Sequence, residues 1–65
     1  MRIENKKQIK DVAITTTEQI TYTYFGTEWE YLQYNKNFIY IKFVFAYPKD
    51  CIIYNKDQVV SIEIG

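Results

Sequence analysis

From Asp11 onward apolar and polar residues alternate with a period of two, as in V-A-I-T-T, I-T-Y-T-Y-F, W-E-Y-L-Q-Y and S-I-E-I. Val, Ile, Tyr and Phe, with Thr interleaved, suit the pleated, half-buried surface of a sheet. Helical spacing is nearly absent. The pattern predicts six strands, over residues 10–16, 19–25, 28–34, 38–47, 50–54 and 58–64. Residues 1–9, largely polar, are expected to form a short arm, an extra strand or a helical turn.

Loop lengths then set which residues face one another. Gly26-Thr27 suits a two-residue type II′ turn that places Tyr24 opposite Trp29 and Tyr22 opposite Tyr31. Asn35-Lys36-Asn37 closes as a two- or a three-residue loop. The three-residue form is preferred because it pairs Trp29 with Phe43, Tyr31 with Ile41 and Glu30 with Lys42, whereas the two-residue form sets Glu30 opposite Ile41. Tyr47-Pro48-Lys49-Asp50 is expected to turn the chain so that Phe45 meets Ile52 and Phe43 meets Tyr54. Asn55-Lys56-Asp57 brings Ile52 to Val60, and Thr16-Thr17-Glu18 brings Ile14 to Ile20.

These pairings give every strand one common inner face. It comprises Val12, Ile14, Ile20, Tyr22, Tyr24, Trp29 and Tyr31 in the first half, then Ile39, Ile41, Phe43, Phe45, Ile52, Tyr54, Val60, Ile62 and Ile64. A flat sheet would leave this face wet, so the expected fold is all-β. It is a small six-stranded antiparallel meander, curled into a partly open barrel or rolled into a two-layer sandwich of SH3-like or OB-like size. With 65 residues the chain is expected to be a single domain.

The segment N-F-I-Y-I-K-F-V-F-A-Y-P is greasy on both faces, with Lys42 its one charge. By the same parity Leu32, Tyr34, Phe38, Tyr40, Val44, Cys51, Ile53 and Val59 fall on the outer face, with Tyr34 opposite Phe38, Leu32 opposite Tyr40 and Val44 opposite Ile53. Leu32, Tyr34, Phe38, Tyr40, Val44, Ile53 and Val59 therefore form a candidate interaction patch, for a second copy of the chain or for another protein. Aromatic residues are 18% of the chain, which fits a binding surface because rings supply large contact area at low entropic cost.

Chemistry is sparse. The chain has no histidine, so a Ser or Cys nucleophile has no histidine base, and one cysteine cannot build a zinc site. Cys51 follows Asp50, whose charge disfavours a thiolate. Glu28 and Glu30 share a strand face, but with Lys42 expected opposite they read as solvated ion-pair partners and not as an acid–base pair. No enzyme, cofactor or metal is expected.

Eight basic and eight acidic residues cancel, which removes the usual electrostatic case for nucleic acid or an anionic membrane, and no membrane partner is expected. The alternative is single-stranded nucleic acid, because a small barrel with exposed rings resembles OB-fold and cold-shock proteins, whose sheets stack bases. Arg2, Lys6, Lys7 and Lys10 would then supply phosphate contacts, although the basic-aromatic motif of cold-shock proteins is absent. With one unpaired cysteine, no secretory signal pattern and no apolar run long enough to span a bilayer, the expected compartment is the cytoplasm. Abundant Ile, Lys, Asn and Tyr reflect A+T-rich coding, common in low-GC bacteria and their phages. The expected role is a small phage or mobile-element protein that inhibits or regulates a host protein, such as a defence component, and forms a homodimer or larger homo-oligomer.

Overall fold

In the computed structural model, which describes residues 1–65, the chain forms seven strands and no α-helix. They are β1 (Arg2–Glu4), β2 (Val12–Thr16), β3 (Thr21–Tyr24), β4 (Trp29–Tyr34), β5 (Phe38–Phe43), β6 (Cys51–Asn55) and β7 (Val59–Ile64), with a 3-10 turn at Lys56–Gln58. Two antiparallel sheets result, ordered β1-β4-β5-β6 and β3-β2-β7. The buried core joins Val12 and Ile14 of β2 to Trp29, Leu32, Ile39, Ile41 and Phe43 of β4 and β5, so the sheets pack face to face.

The seventh strand is the polar leader. Arg2–Glu4 adds to the edge of β4, with Ile3 beside Leu32, because its single apolar residue points inward while Arg2 and Glu4 stay in water. What fixes this leader is Asn5, a polar side chain only 2% exposed. Its Nδ2 donates to the carbonyls of Gly26 and Trp29 at 2.9 Å each, and its Oδ1 accepts from the Lys10 amide at 3.1 Å. The Trp29 indole adds a bond to the Lys10 carbonyl at 2.7 Å. One amide group thus satisfies backbone that no sheet ladder reaches.

The hairpins β2–β3, β4–β5 and β5–β6 form, but β3 to β4 and β6 to β7 are crossings between sheets. Tyr24 therefore does not ladder with Trp29, Tyr22 with Tyr31, or Ile52 with Val60. The expected meander holds for β4-β5-β6 and not for the whole chain, since β2 pairs non-locally with β7, Val12 beside Ile64 and Ile14 beside Ile62. The first hairpin closes one residue later than expected. Gln19 takes the left-handed conformation (φ 66°), and Ile14 faces Tyr22 instead of Ile20.

Gly26 is needed for closeness and not for a type II′ turn, since no glycine has positive φ. A Cβ at this position would lie 2.8 Å from the Gln8 carbonyl oxygen and the Ile9 carbonyl carbon and 2.9 Å from the Lys10 amide nitrogen. All three are backbone atoms with little room to yield. Gly26→Ala is expected to destabilise by about 2 kcal/mol, as overpacking does, lowering Tm by roughly 10 °C in a thermal melt; an unchanged Tm would contradict this packing.

The parity of β4 is broken once. Trp29 still faces Phe43, but Tyr31 faces Lys42, Leu32 faces Ile41 and Tyr34 faces Ile39, with a bulge between Trp29 and Tyr31. The turn is tighter than the three-residue form: the Asn35 amide donates to the Phe38 carbonyl at 3.1 Å, and Asn35 Oδ1 accepts the amides of Asn37 and Phe38 at 2.7 and 3.0 Å. The extra residue at the bulge restores Trp29 to the inner face. Leu32 is consequently in the core, and Tyr31, expected inside, lies outside. The Glu30–Lys42 pair does not form; Lys42 Nζ bonds the Phe43 carbonyl at 3.3 Å.

A second bulge, opposite Thr15 and Thr16, has the same effect in β7. Val59 turns inward against the core while Val60 is 66% exposed, the reverse of the expected assignment. Between β5 and β6 parity holds but the register slides: Ile41 faces Ile52, Tyr40 faces Ile53 and Ile39 faces Tyr54. β5 ends at Phe43, so Val44, Phe45 and Tyr47 lie in a loop. Ile20, Tyr22 and Phe45, all expected in the core, are exposed.

Candidate protein-interaction face

The candidate patch disperses to four places. Leu32 is fully buried. Tyr34 and Val59 line an apolar groove of about 380 Å³ between β4 and β7, with Ile3, Ile62 and Ile64, and Lys56 stands 5.6 Å over the Tyr34 ring. Val44 lies in the loop after β5. Phe38, Tyr40 and Ile53 remain on the outer face of the four-stranded sheet.

Register brings further residues beside them. One row across the sheet runs Arg2, Gln33, Tyr40 and Ile53, and the next runs Glu4, Tyr31, Lys42 and Cys51. The face is therefore built from four strands. Arg2 Nε donates to Glu4 Oε2 at 2.7 Å, and its guanidinium lies 3.7 Å from the centre of the Tyr31 ring. Arg2 is thus held by a carboxylate two residues along the same face and by a ring from the neighbouring strand. Its bond to Glu4 raises the guanidinium pKa further above its ordinary value.

Tyr31 and Tyr40 lie diagonally across β4 and β5, ring centres 5.9 Å apart and tilted by 32°. Loss of hydration, with the neighbouring Cys51 thiol and Tyr31 phenol, pushes the Tyr40 phenol up to about 12. It remains a neutral hydrogen-bond donor throughout the physiological range. Next to it Ile53 is 60% exposed, with nothing in the molecule covering it.

No family model, curated protein or solved structure matches this chain.

The basic residues proposed for nucleic acid are divided by the fold. Arg2 joins the outer face, whereas Lys6, Lys7 and Lys10 sit in the loop between β1 and β2, at one end of the sandwich. Sequence parity missed Tyr31 and the Arg2 stack. The adjacent apolar pair Tyr31-Leu32 was the available signal, because strict alternation cannot point both inward or both outward.

The opposite side of the sandwich is closed by rings. Tyr24 and Tyr54 bond through their hydroxyls across the sheets, and Tyr22 lies 6.1 Å from Tyr54. Burial raises the pKa of both Tyr24 and Tyr54. The outer face of β3-β2-β7 is plainer: Thr21, Thr15 and Ser61 in one row, Thr23, Ala13 and Glu63 in the other, with Thr15 and Thr21 hydroxyls 3.0 Å apart. That contrast singles out the β1-β4-β5-β6 face.

Proposed function

We propose that this chain is a small non-enzymatic interaction module that binds another protein through the outer face of β1-β4-β5-β6. The observation that carries the reading is the ordered cluster of Arg2, Tyr31 and Tyr40 beside uncovered Ile53. Arg and Tyr are the side chains that dominate binding energy at protein interfaces, and here they are held in place before any partner arrives. Neutral net charge fits a protein partner better than a phosphate backbone. The composition supports a phage or mobile-element origin, with a host cytoplasmic protein, such as a defence component, as the target. The same face serves a second copy of the chain if the protein dimerises.

Single-stranded nucleic acid is the second reading, favoured by a tyrosine pair on the central strands with Arg2 and Lys42 at its margins. The Arg2 guanidinium already covers one face of Tyr31, which leaves less ring surface for a base.

Tyr40→Lys and Ile53→Lys separate these readings. Both variants are expected to melt like the wild type. Light scattering after size exclusion is expected to show a homo-oligomer that the variants lose, or a monomer whose capture of a specific host protein the variants abolish. Unaltered mass and unaltered capture in both variants would overturn the reading, as would salt-sensitive binding of single-stranded oligonucleotides that Tyr40→Lys strengthens.

A further inference from the structure

Three loops meet at the end of the sandwich where β2 and β6 begin and β3, β5 and β7 finish: residues 5–11, 25–28 and 44–50. Gly26 abuts the backbone of Gln8, Ile9 and Lys10, and its amide donates to Asp11 Oδ1 at 2.8 Å, which locks the first loop to the second. The Val44 amide donates to the Glu28 carbonyl at 3.0 Å, which sets the third beside them. The three loops form one continuous surface.

That surface is unusually apolar for loop tips. Of the ten large hydrophobic side chains exposed in the molecule, five lie here: Tyr47 at 88%, Ile9 at 71% and Phe25 at 59%, with Val44 and Phe45 behind them. At the other end the exposed large hydrophobics are Ile20 in a loop and Met1, 77% exposed, whose backbone pairs with Tyr34. Phe45 stacks on core Phe43 with ring centres 5.0 Å apart, which leaves Tyr47, Ile9 and Phe25 most open to water, and such a concentration at one end marks a surface that leaves water on binding.

Charge follows the same segregation. Lys6, Lys7, Lys10 and Lys49 surround these tips, all exposed and none in a salt bridge, since the one ion pair joins Arg2 and Glu4. Four lysines stand against three carboxylates on these loops, an excess of one; Asp11 is held on the Gly26 amide and Glu28 on the Phe25 amide at 2.9 Å, with Asp50 the third, while the lysine ammonium groups reach into water. Net charge over the chain, which is zero, conceals this arrangement.

We propose that this loop end docks the protein on the surface of an anionic lipid bilayer. Ile9, Phe25 and Tyr47 enter the interfacial layer, and Lys6, Lys7, Lys10 and Lys49 extend their ammonium groups to lipid phosphates. Side chains that stand this far out of the surface need a complementary hollow in a protein partner, but a bilayer yields to them. A second copy would bring lysines against lysines. Phe25, Phe45 and Tyr47 also offer rings to a nucleic-acid base, but Ile9, 71% exposed, gains nothing from stacking and leaves water only in an apolar layer. The proposal does not rest on the outer sheet face, whose Tyr40 and Ile53 lie outside these loops.

The test is sedimentation of the full chain with vesicles of phosphatidylcholine, alone and with phosphatidylglycerol as a third of the lipid. The wild type is expected to sediment with the anionic vesicles, and added salt to weaken binding. Ile9→Ser with Tyr47→Ser is expected to lower partitioning about tenfold or more, because both side chains leave water only when the bilayer is present. Lys6→Gln, Lys7→Gln and Lys10→Gln together are expected to remove the preference for anionic lipid. All these positions are exposed, so an unchanged Tm shows that the variants fold. Wild type that stays in the supernatant with anionic vesicles overturns the proposal. So does vesicle binding that both sets of substitutions leave intact, or a lysine triple variant whose only loss is binding to a single-stranded oligonucleotide. Tyr40→Lys is expected to leave vesicle binding unchanged, which separates this surface from the protein-binding face.

Discussion

Asn5→Ala is expected to unfold much of the protein at room temperature. The substitution removes two donors to the Gly26 and Trp29 carbonyls and the acceptor for the Lys10 amide, at a site that water does not reach. Each polar group stranded in this way costs about 1–3 kcal/mol, so a loss of roughly 3–5 kcal/mol is expected. A domain of this length has on the order of 3–10 kcal/mol in total. Urea denaturation followed by Trp29 fluorescence measures the loss directly, since the indole bonds the Lys10 carbonyl at the same junction. A midpoint within error of the wild type would show that Asn5 does not tie the leader down.

Asn5→Asp tests the donor side of the same site. A carboxylate there would face the Gly26 and Trp29 carbonyl oxygens, and burial and oxygen–oxygen repulsion would raise its pKa in the folded state. For a group whose folded pKa is raised, the stability it contributes is present below the unfolded pKa and lost as pH rises through the folded value. Asn5→Asp is therefore expected to be more stable in mild acid than at neutral pH.

The second large effect separates two neighbours. Leu32→Ala is expected to cost about 2–5 kcal/mol, because Leu32 is fully buried between Ile3 and Ile41. Tyr31→Ala, one residue earlier, is expected to cost under about 1 kcal/mol, since it removes an exposed-face ring and its Arg2 stack. Chemical denaturation of both variants under the same conditions decides the point. If the larger loss falls on Tyr31, then β4 has no bulge before Leu32, and the outer face would have to be redrawn around Leu32 and Tyr34.

Much of the local architecture was legible in the chain. Alternation located the strands from β2 to β7 to within a few residues, apart from the end of β5, and identified Val12, Ile14, Trp29, Ile39, Ile41 and Phe43 as core. Hairpin logic found three adjacent strand pairs, and parity put Phe38, Tyr40 and Ile53 outside. These features depend on side chains one or two residues apart, which a pleated strand sends to opposite faces whatever surrounds it.

The remainder depended on contacts between segments far apart in the chain. Two bulges, one before Leu32 in β4 and one at Val60 in β7, each add a residue and exchange inner for outer side chains beyond it. Alternation alone cannot place such a step; the adjacent apolar pairs Tyr31-Leu32 and Val59-Val60 mark where one is allowed, and packing against the opposite sheet selects it. The leader segment became a strand because Asn5 meets the Gly26 turn 21 residues away. The same turn holds Ile9 beside Phe25, and the Glu28–Val44 bond adds the loop of Tyr47, so the loop surface exists only in the folded chain. By itself the sequence determined where most of β2 to β7 lie and how their side chains alternate, since that is local sterics and the period of the pleat. The tertiary structure alone decided which alternating set is buried, how the strands divide between two sheets and which polar and apolar groups share a surface, because those outcomes are set by the mutual burial of segments distant in sequence.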